Sequence, residues 1–514
     1  MANEIGWICL SARSDFCTVT VIVSMLLMVI VSADIIHSLY FHPLAKFPGP
    51  MFAAVSRLPF AFSAVTGSTY KWLDRLHAQY GEVVRISPGE LSTISPGAWK
   101  DIYLTRPQLK KDPYSQTPPL NGAHSLFTAH GATHARIRRL YVNAFTDKAL
   151  KEQNPIIESH VQLLMQRMRR DITRADNNVI DIAKYYGYAA LDIIADLTFG
   201  ESFHGLEGEN EHHMIVGIFL GAKFGAIRNS LSHFYPLDRL FGMIFLRLTA
   251  RKRKQNYEFN EKAINKRLAM GDLGFQRQDF MSALIGNVNP GKEKGITRTE
   301  LDSNSLAIII AGCQLTTVAL ATATYLLLRN PVTYQCLRDE IRQTFLDEKE
   351  IDITKTQSLP YLSAVIDETL RIHHPTPINL PRIVPAGGLT IDGTWIPEKT
   401  VIGIALQTSQ TTPLYWEDAL GFHPERFLSP NDGRYESRFN KDNKDAFHPF
   451  SMGNRNCLGG KVFLAEAKVI LAKTIFAFDL SLSNHVANDW MDQKAFLVFE
   501  PSELLVQVRE KQVL

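Results

Sequence analysis

The sequence predicts a mainly α-helical body with small, segregated β-sheets, tethered by one N-terminal transmembrane helix. Three observations predict it. A charge-free apolar run of 18 residues lies near the N-terminus, a long central stretch repeats apolar residues at helical spacing, and after Pro375 the texture turns to β-branched residues punctuated by Gly and Pro. The 514 residues are 45% hydrophobic and 21% charged, which is globular composition. A formal charge of +3 points to no nucleic-acid role, although "RIRR" (136–139) and "RKRK" (251–254) are local basic clusters, each a solvated helix face or a docking surface for an acidic partner. The five cysteines, Cys9, Cys17, Cys313, Cys336 and Cys457, form no CxxC pair. They make neither a disulfide framework nor a zinc site, and fit a reduced, cytosol-facing compartment.

The elements follow in order. After a leader over 1–15, the run "FCTVTVIVSMLLMVIVSA" (16–33), continued to residue 36, is a retained anchor. A cleaved signal peptide fits less well: the run is too long for an h-region, Glu4 and Asp15 are acidic, and no A-x-A site follows. Residues 37–50 end in "HPLAKFPGP", a stiff proline-rich hinge. One domain, 51–514, follows without repeat or low-complexity linker. It opens with strand-like "GEVVRIS" (81–87) and "ELSTIS" (90–95), is helical from about 131 to 373, forms a small sheet over "GGLTIDGTWIPEKTVIGIAL" (387–406), and ends in a helix from Lys461 and strands in 499–510. The run "FGMIFLRL" (241–248), beside "RKRK", reads as a core-facing helix in preference to a membrane-touching surface.

Residues 303–328 are uncharged and long enough to span a membrane, but eight of the 26 are Ser, Thr, Asn or Gln. That is costly in lipid. A buried core helix, capped by Asp302 or Ser303 and stopped at "RNP" (329–331), is the better reading. Its Gly312 admits a close approach, and its polar side chains need partners or a ligand.

The strongest chemical signal is "HPFSMGNRNCLGG" (448–460). Phe450 can shield a sulfur, Gly453 permits a turn, Arg455 is a cation near Cys457, and Gly459 removes bulk before a helix. A thiolate beside a helix N-terminus and an arginine is stabilised, which suits a soft anionic metal ligand. The spacing Phe450, Gly453, Arg455, Cys457, Gly459 resembles the haem-binding loop of cytochromes P450. The resemblance extends to "ETLR" (368–371) and "HPERF" (423–427), and implies that Glu368, Arg371 and Arg426 form a structural charge cluster behind the cysteine loop. It further implies that His134 and Arg138, at i and i+4 in "HARIRR", together with Arg382 and Arg455, meet the two haem propionates. His134 stands where the family often has Trp. The hinge and "LPYLSAVIDETLRIHHPTP" (359–377) look most like filamentous-fungal biosynthetic P450s.

That likeness carries the family's implications: a helical triangular prism with small sheets, haem b held by the Cys457 thiolate, and monooxygenation of a lipophilic secondary metabolite such as a terpenoid, polyketide or alkaloid. It also implies electrons from NADPH–cytochrome P450 reductase, with cytochrome b5 as a second candidate donor, Arg136 and Arg139 as candidate docking residues, and residence on the endoplasmic reticulum membrane with the catalytic domain in the cytosol. The family's distal pattern, A/G-G-x-D/E-T-T/S, is present only in part. Ala311 and Gly312 match, Gln314 stands at the acid position, Leu315 at the threonine position, and Thr316 matches the last place. Gly312 is read as making room for oxygen and substrate, Gln314 and Thr316 as the catalytic candidates. Leucine donates nothing, and glutamine is no acid near neutral pH. Three chemistries therefore stay open: hydroxylation with a relay through substrate, water and Gln314; oxidative ring closure or desaturation; and a peroxide-using or isomerising haem–thiolate reaction without O2. A haem sensor is a minor fourth, and an anchored structural protein without haem lies outside the class. Stretches 119–127, 210–245, 309–316 and 376–380 are the expected substrate lining.

Overall fold

A computed structural model describes residues 2–115, 121–208, 213–270, 277–285, 288, 295–500 and 502–511. The expected lining residues at 119–120 and 210–212 lie outside them. Helix α1, Ala2–Ile36, runs without a break through the expected leader and anchor. The segment Thr18–Phe41 has a mean hydropathy of 2.6, and none of its most apolar window is buried. The proline-rich segment after it lies along strand β1 (Val83–Ser87): Arg85 donates to the Ser38 carbonyl at 2.8 Å, and the Arg85 amide donates to the Pro48 carbonyl at 2.7 Å.

Short strands build one sheet near the hinge. β1 pairs antiparallel with β2 (Glu90–Thr93), and the five-stranded order also takes in β3 (Lys110–Lys111) at its far edge. Helices then dominate: α2 (Leu58–Thr66) before the sheet, α3 (Gly131–Val142), α4 (Asp147–Ile172) and, after strand β4 (Val179–Asp181), α5 (Ile182–Phe199). α5 is buried at nearly every position, so it is apolar all round rather than amphipathic. Next come α6 (His213–Leu231) and α7 (Leu237–Ala269).

The expected core-facing run in α7 is a correction. Met243 is 58% exposed, Ile244 47% and Leu248 72%. The segment does not fold under the core. It lies on the surface, and so does part of α2, which packs on α6 and exposes Leu58 and Phe62.

α8, Arg298–Arg329, is the expected core helix: 61% of its most apolar window is buried. It begins earlier than expected. Thr297 caps it, accepting from the Glu300 amide, while Glu300 accepts from the Thr297 amide at 3.0 Å. This Thr-x-x-Glu box outcompetes Asp302 and Ser303 because it satisfies two terminal N–H groups reciprocally. Asn330 and Pro331 end the helix as expected.

After α9 (Pro360–Ile372), strands β5 (Arg382–Ile383) and β6 (Val401–Ile404) return to the first sheet, in the order β1-β2-β6-β5-β3. β6 runs parallel to β2, and β5 sets Arg382 opposite Lys111 of β3. The chain closes with α10 (Gly460–Ala477) and a three-stranded sheet in which β8 (Leu505–Glu510) lies between β4 and β7 (Phe478–Leu482). α5, α8 and α10 share one apolar core.

Candidate active site

The turn before α10 presents the cysteine. Gly453 has φ +74°, a conformation that favours glycine, and a Cβ there would collide with the Tyr103 carbonyl. The Cys457 amide donates to the Phe450 carbonyl at 2.8 Å, closing the loop, and the Phe450 ring meets Phe463 of α10 at 5.8 Å between centroids. A Cβ on Gly460, the first residue of α10, would lie 3.1 Å from the Phe450 ring, a tight contact. Gly459 is different: only the Phe145 ring comes within 4 Å of its missing Cβ, so the protein leaves this side open.

The cysteine side chain is exposed at that opening. Burial of its surroundings raises the thiol pKa, while the N–H groups of Gly459 and Gly460 and the cation of Arg138 favour the thiolate. The arginine that helps the sulfur is thus Arg138, on α3, and not Arg455 as the sequence suggested. Arg455 instead spans to Gln108 at 3.2 Å and the Ala129 carbonyl at 2.6 Å.

Beside the turn, a cavity of about 800 Å³ is lined by Gln108, Lys110, His130, His134, Arg138 and Arg455. Arg138 is anchored through Asn456, its Nη1 donating to that backbone carbonyl at 3.0 Å. Arg382 is 4% exposed, and among the described residues its side chain donates only to the Leu380 and Pro381 carbonyls. Two guanidinium nitrogens, Arg455 Nη1 and Arg382 Nε, are buried with no partner. Burial and the nearby Arg455 and Arg138 push His134 down to about 4, so its imidazole is neutral at pH 7. Lys111, which sequence reasoning missed, joins this group: burial, then Arg455 and Arg382, lower it to about 7, and its Nζ donates to the Phe127 carbonyl at 2.9 Å. Its proximity depends on pairing between β3 and β5, some 270 residues apart, which no local pattern announces.

Behind the turn the charge cluster is complete. Glu368, Arg371 and Arg426 are all 0% exposed. Arg371 grips Glu368 bidentately at 2.7 and 2.9 Å and donates to the carbonyls of Gln410, Ala419 and Gly421. Arg426 reaches Glu368 at 3.2 Å and also Asp442, a second carboxylate the sequence did not single out. His374 ties α9 to the turn: its Nε2 donates to the Pro449 carbonyl at 2.9 Å while Nδ1 accepts from the Thr376 amide at 3.0 Å.

One face of α8 is less buried than the rest. Ser303, Ala307, Ala311 and Leu315 recur every four residues on it, with Ile310 36% exposed. Gln314 borders this face, one turn after Ile310, buried and without a hydrogen-bond partner among the described residues. Thr316 lies about 100° further round than Leu315 and is 2% exposed, turned from the open face. The room beside Gly312 is not open either. A Cβ there would lie 2.5 Å from Cγ1 of Ile194, so this glycine lets α5 press against α8. Arg136, read as a docking residue, is spent on Glu300 of α8; Arg139 is exposed.

A model of the cytochrome P450 family matches residues 48–508. The chain belongs to the cytochrome P450 family. Among its relatives, cytochrome P450 monooxygenase lcsI of Purpureocillium lilacinum is 34% identical over 92% of this chain and 91% of that protein. An averantin hydroxylase of Dothistroma septosporum is 35% identical, covering 92% of this chain and 88% of its own length. A versicolorin B desaturase, stcL, of Emericella nidulans is 32% identical over 97% and 99%. The family binds haem through a cysteine thiolate and acts as monooxygenase.

The residues of this P450 fit that cofactor. A thiol faces an opening with two amides on its sulfur, and four cations with two orphaned buried nitrogens await an anion. Among the described residues no acid pairs with Arg138, Arg382 or Arg455. Replacing Arg382 by alanine is expected to weaken haem retention roughly tenfold or more, the scale of losing about 1.5–3 kcal/mol in a hydrogen bond to a charged group. Transfer of haem from the variant to apomyoglobin would measure it. An unchanged transfer rate would remove Arg382 from the propionate set.

Proposed function

We propose that this P450 monooxygenase oxidises a lipophilic secondary metabolite by hydroxylation or desaturation, from the cytosolic face of the endoplasmic reticulum membrane. The apolar open face of α8, built by Ala307, Ile310, Ala311 and Leu315, is the observation that carries the substrate class. Two relatives are named for hydroxylating or desaturating such compounds, and nothing favours an isomerising or peroxide-using reaction. Cys457 is the proposed axial ligand, with Phe450 and Gly459 shaping its surroundings, and Arg138, Arg382, Arg455 and neutral His134 are the proposed propionate partners. The residues 16–36 anchor, the 37–50 hinge and the 51–514 catalytic domain are the proposed organisation. Exposed Leu58 and Phe62 of α2, and Met243, Ile244 and Leu248 of α7, are further apolar surface. NADPH–cytochrome P450 reductase is the proposed donor, with cytochrome b5 second.

When bound, the haem supplies dioxygen activation, and its thiolate favours O–O cleavage. The chain's own tasks are to hold the sulfur in its turn, neutralise the propionates, exclude water along α8, and deliver protons. Turnover in microsomes with reductase and NADPH, set against turnover on an organic hydroperoxide, tests the reading. Product formed only with the hydroperoxide would overturn it. Leu315→Thr places a hydroxyl on the open face and is expected to raise product formed per NADPH, by up to about tenfold, within the range of a positioned proton donor. Equal coupling in variant and parent would make position 315 immaterial.

A further inference from the structure

Arg382 has to present a cation to an anion, yet its ionic surroundings do little to aim it. It is buried, and among the described residues no acid pairs with it. Lys111 and Arg455 both feel it as a like charge. Its Nη1 donates to the Leu380 and Pro381 carbonyls at 3.2 and 3.0 Å, and its Nε has no partner. A long side chain tied only to the carbonyls just before it keeps much of its torsional freedom.

The group that fixes its direction is Tyr103, the last residue of the short helix Ala98–Tyr103. The ring centroid lies 4.9 Å from Cζ of Arg382. A guanidinium over an aromatic face is drawn to the negative centre of the ring, the more so when water is excluded, and Tyr103 is 3% exposed. The hydroxyl adds a second hold. It donates to the Leu380 carbonyl at 2.9 Å, the same carbonyl that Arg382 uses, and accepts from the Ile404 amide of β6 at 3.4 Å. Burial raises the phenol above its ordinary value, against the pull of Arg382, so it is a neutral donor at pH 7.

The other side of Tyr103 meets the cysteine turn. Its own carbonyl occupies the space that a Cβ on Gly453 would need. Its ring rests on Trp99 at 5.1 Å between centroids, and Trp99 meets His448, the first residue of the turn segment, at 4.8 Å. One residue therefore touches the arginine on one side and the loop that carries Cys457 on the other.

We propose that Tyr103 is a positioning residue for the cofactor: its ring orients Arg382 for the propionate contact and ties that contact to the cysteine turn. The proposal rests on the haem–thiolate reading. Tyr103 acts through Arg382 and takes part in no bond-making step. The competing role is plain core filling, since Tyr103 also packs with Ile402, Ile404 and Val384.

A double-mutant cycle on the holoenzyme separates the two. Tyr103→Leu removes the aromatic face, Tyr103→Phe keeps it, and each is made with and without Arg382→Ala. Haem transfer to apomyoglobin should be about tenfold faster in Tyr103→Leu and within about threefold of the parent in Tyr103→Phe, the difference being the buried cation–ring contact. With Arg382→Ala already present, Tyr103→Leu should add little, because the ring then has no cation to hold. The ferric–ferrous potential should fall in Tyr103→Leu, since negative charge left uncompensated near the iron favours the ferric state. Tyr103→Met, unbranched and adaptable, takes the place of Tyr103→Leu if leucine does not pack. Equal acceleration of transfer with and without Arg382 would overturn the proposal and leave Tyr103 a core residue. So would a potential and a transfer rate unchanged by loss of the ring. Absence of a thiolate-type reduced–CO band in the parent would instead sink the haem–thiolate reading itself.

Discussion

Cys457→Ala is expected to abolish thiolate ligation: the purified variant should lose the thiolate-type reduced–CO band and retain little haem. The turn is built around this one sulfur. Its amide closes the loop on Phe450, and the amides of Gly459 and Gly460 point at it. Among the described residues there is no cluster of His, Cys, Asp or Glu that could hold a metal in its stead. Cys313 is sealed in the core and burial drives its thiol up to about 12, while Cys336 is half-buried in the helix Pro331–Thr344. Neither can replace Cys457. The fold should survive, because the loop's shape rests on Gly453, Phe450 and the charge cluster rather than on the sulfur. A circular-dichroism melt near that of the parent apoprotein, with the band gone, is the expected pair of results. A persisting thiolate band would place the ligand elsewhere.

What could be read in the sequence was local, and what could not was pairing. The cysteine turn announces itself because its residues lie within ten positions and each has a steric or electrostatic reason to be there; a Cβ at Gly453 would meet the Tyr103 carbonyl, and the space beside Gly459 is open. α8 was legible as a core helix from its polar content, and its true start was legible too, in Thr297 and Glu300, had the capping box been weighed above the nearer Asp302. Gly312 shows the limit. A glycine in a distal helix reads as space for a ligand, but its neighbour is Ile194, more than a hundred residues earlier, and only packing of α5 on α8 reveals it. Lys111 beside Arg382, Asp442 beside Arg426 and Arg136 on Glu300 are contacts of the same kind. The exposed run in α7 misled for another reason: apolar periodicity states which face is buried, not whether protein or another apolar phase covers it.

Glu368→Gln should be the most damaging change outside the cysteine turn, even though Glu368 performs no chemistry. Its Oε2 accepts from Arg371 Nε at 2.7 Å, and its Oε1 accepts from Arg371 Nη2, Arg426 Nε and the His423 amide at 2.9, 3.2 and 2.8 Å. All three charged side chains are fully buried, so water cannot step in. The amide would turn a donor toward guanidinium donors and leave two buried cations with Asp442 as their remaining carboxylate. Removing one partner of a buried ion pair costs about 3–5 kcal/mol, against a net stability of about 5–15 kcal/mol for a whole protein. The Gln variant should therefore accumulate as aggregated or haem-free protein, and any soluble fraction should melt several degrees lower. Replacing the pair by size-matched apolar residues is a different experiment, because it also removes the uncompensated charge. The distinction from catalysis is measurable. Soluble Glu368→Gln protein that still binds haem should turn over normally per haem, since Arg371 and Arg426 act through the carbonyls of Gln410, Ala419, Gly421 and Glu417 and touch nothing in the opening. A variant as stable as the parent would show that the carbonyls alone satisfy both guanidinium groups, and the cluster would then owe its place to something other than the support of the cysteine turn.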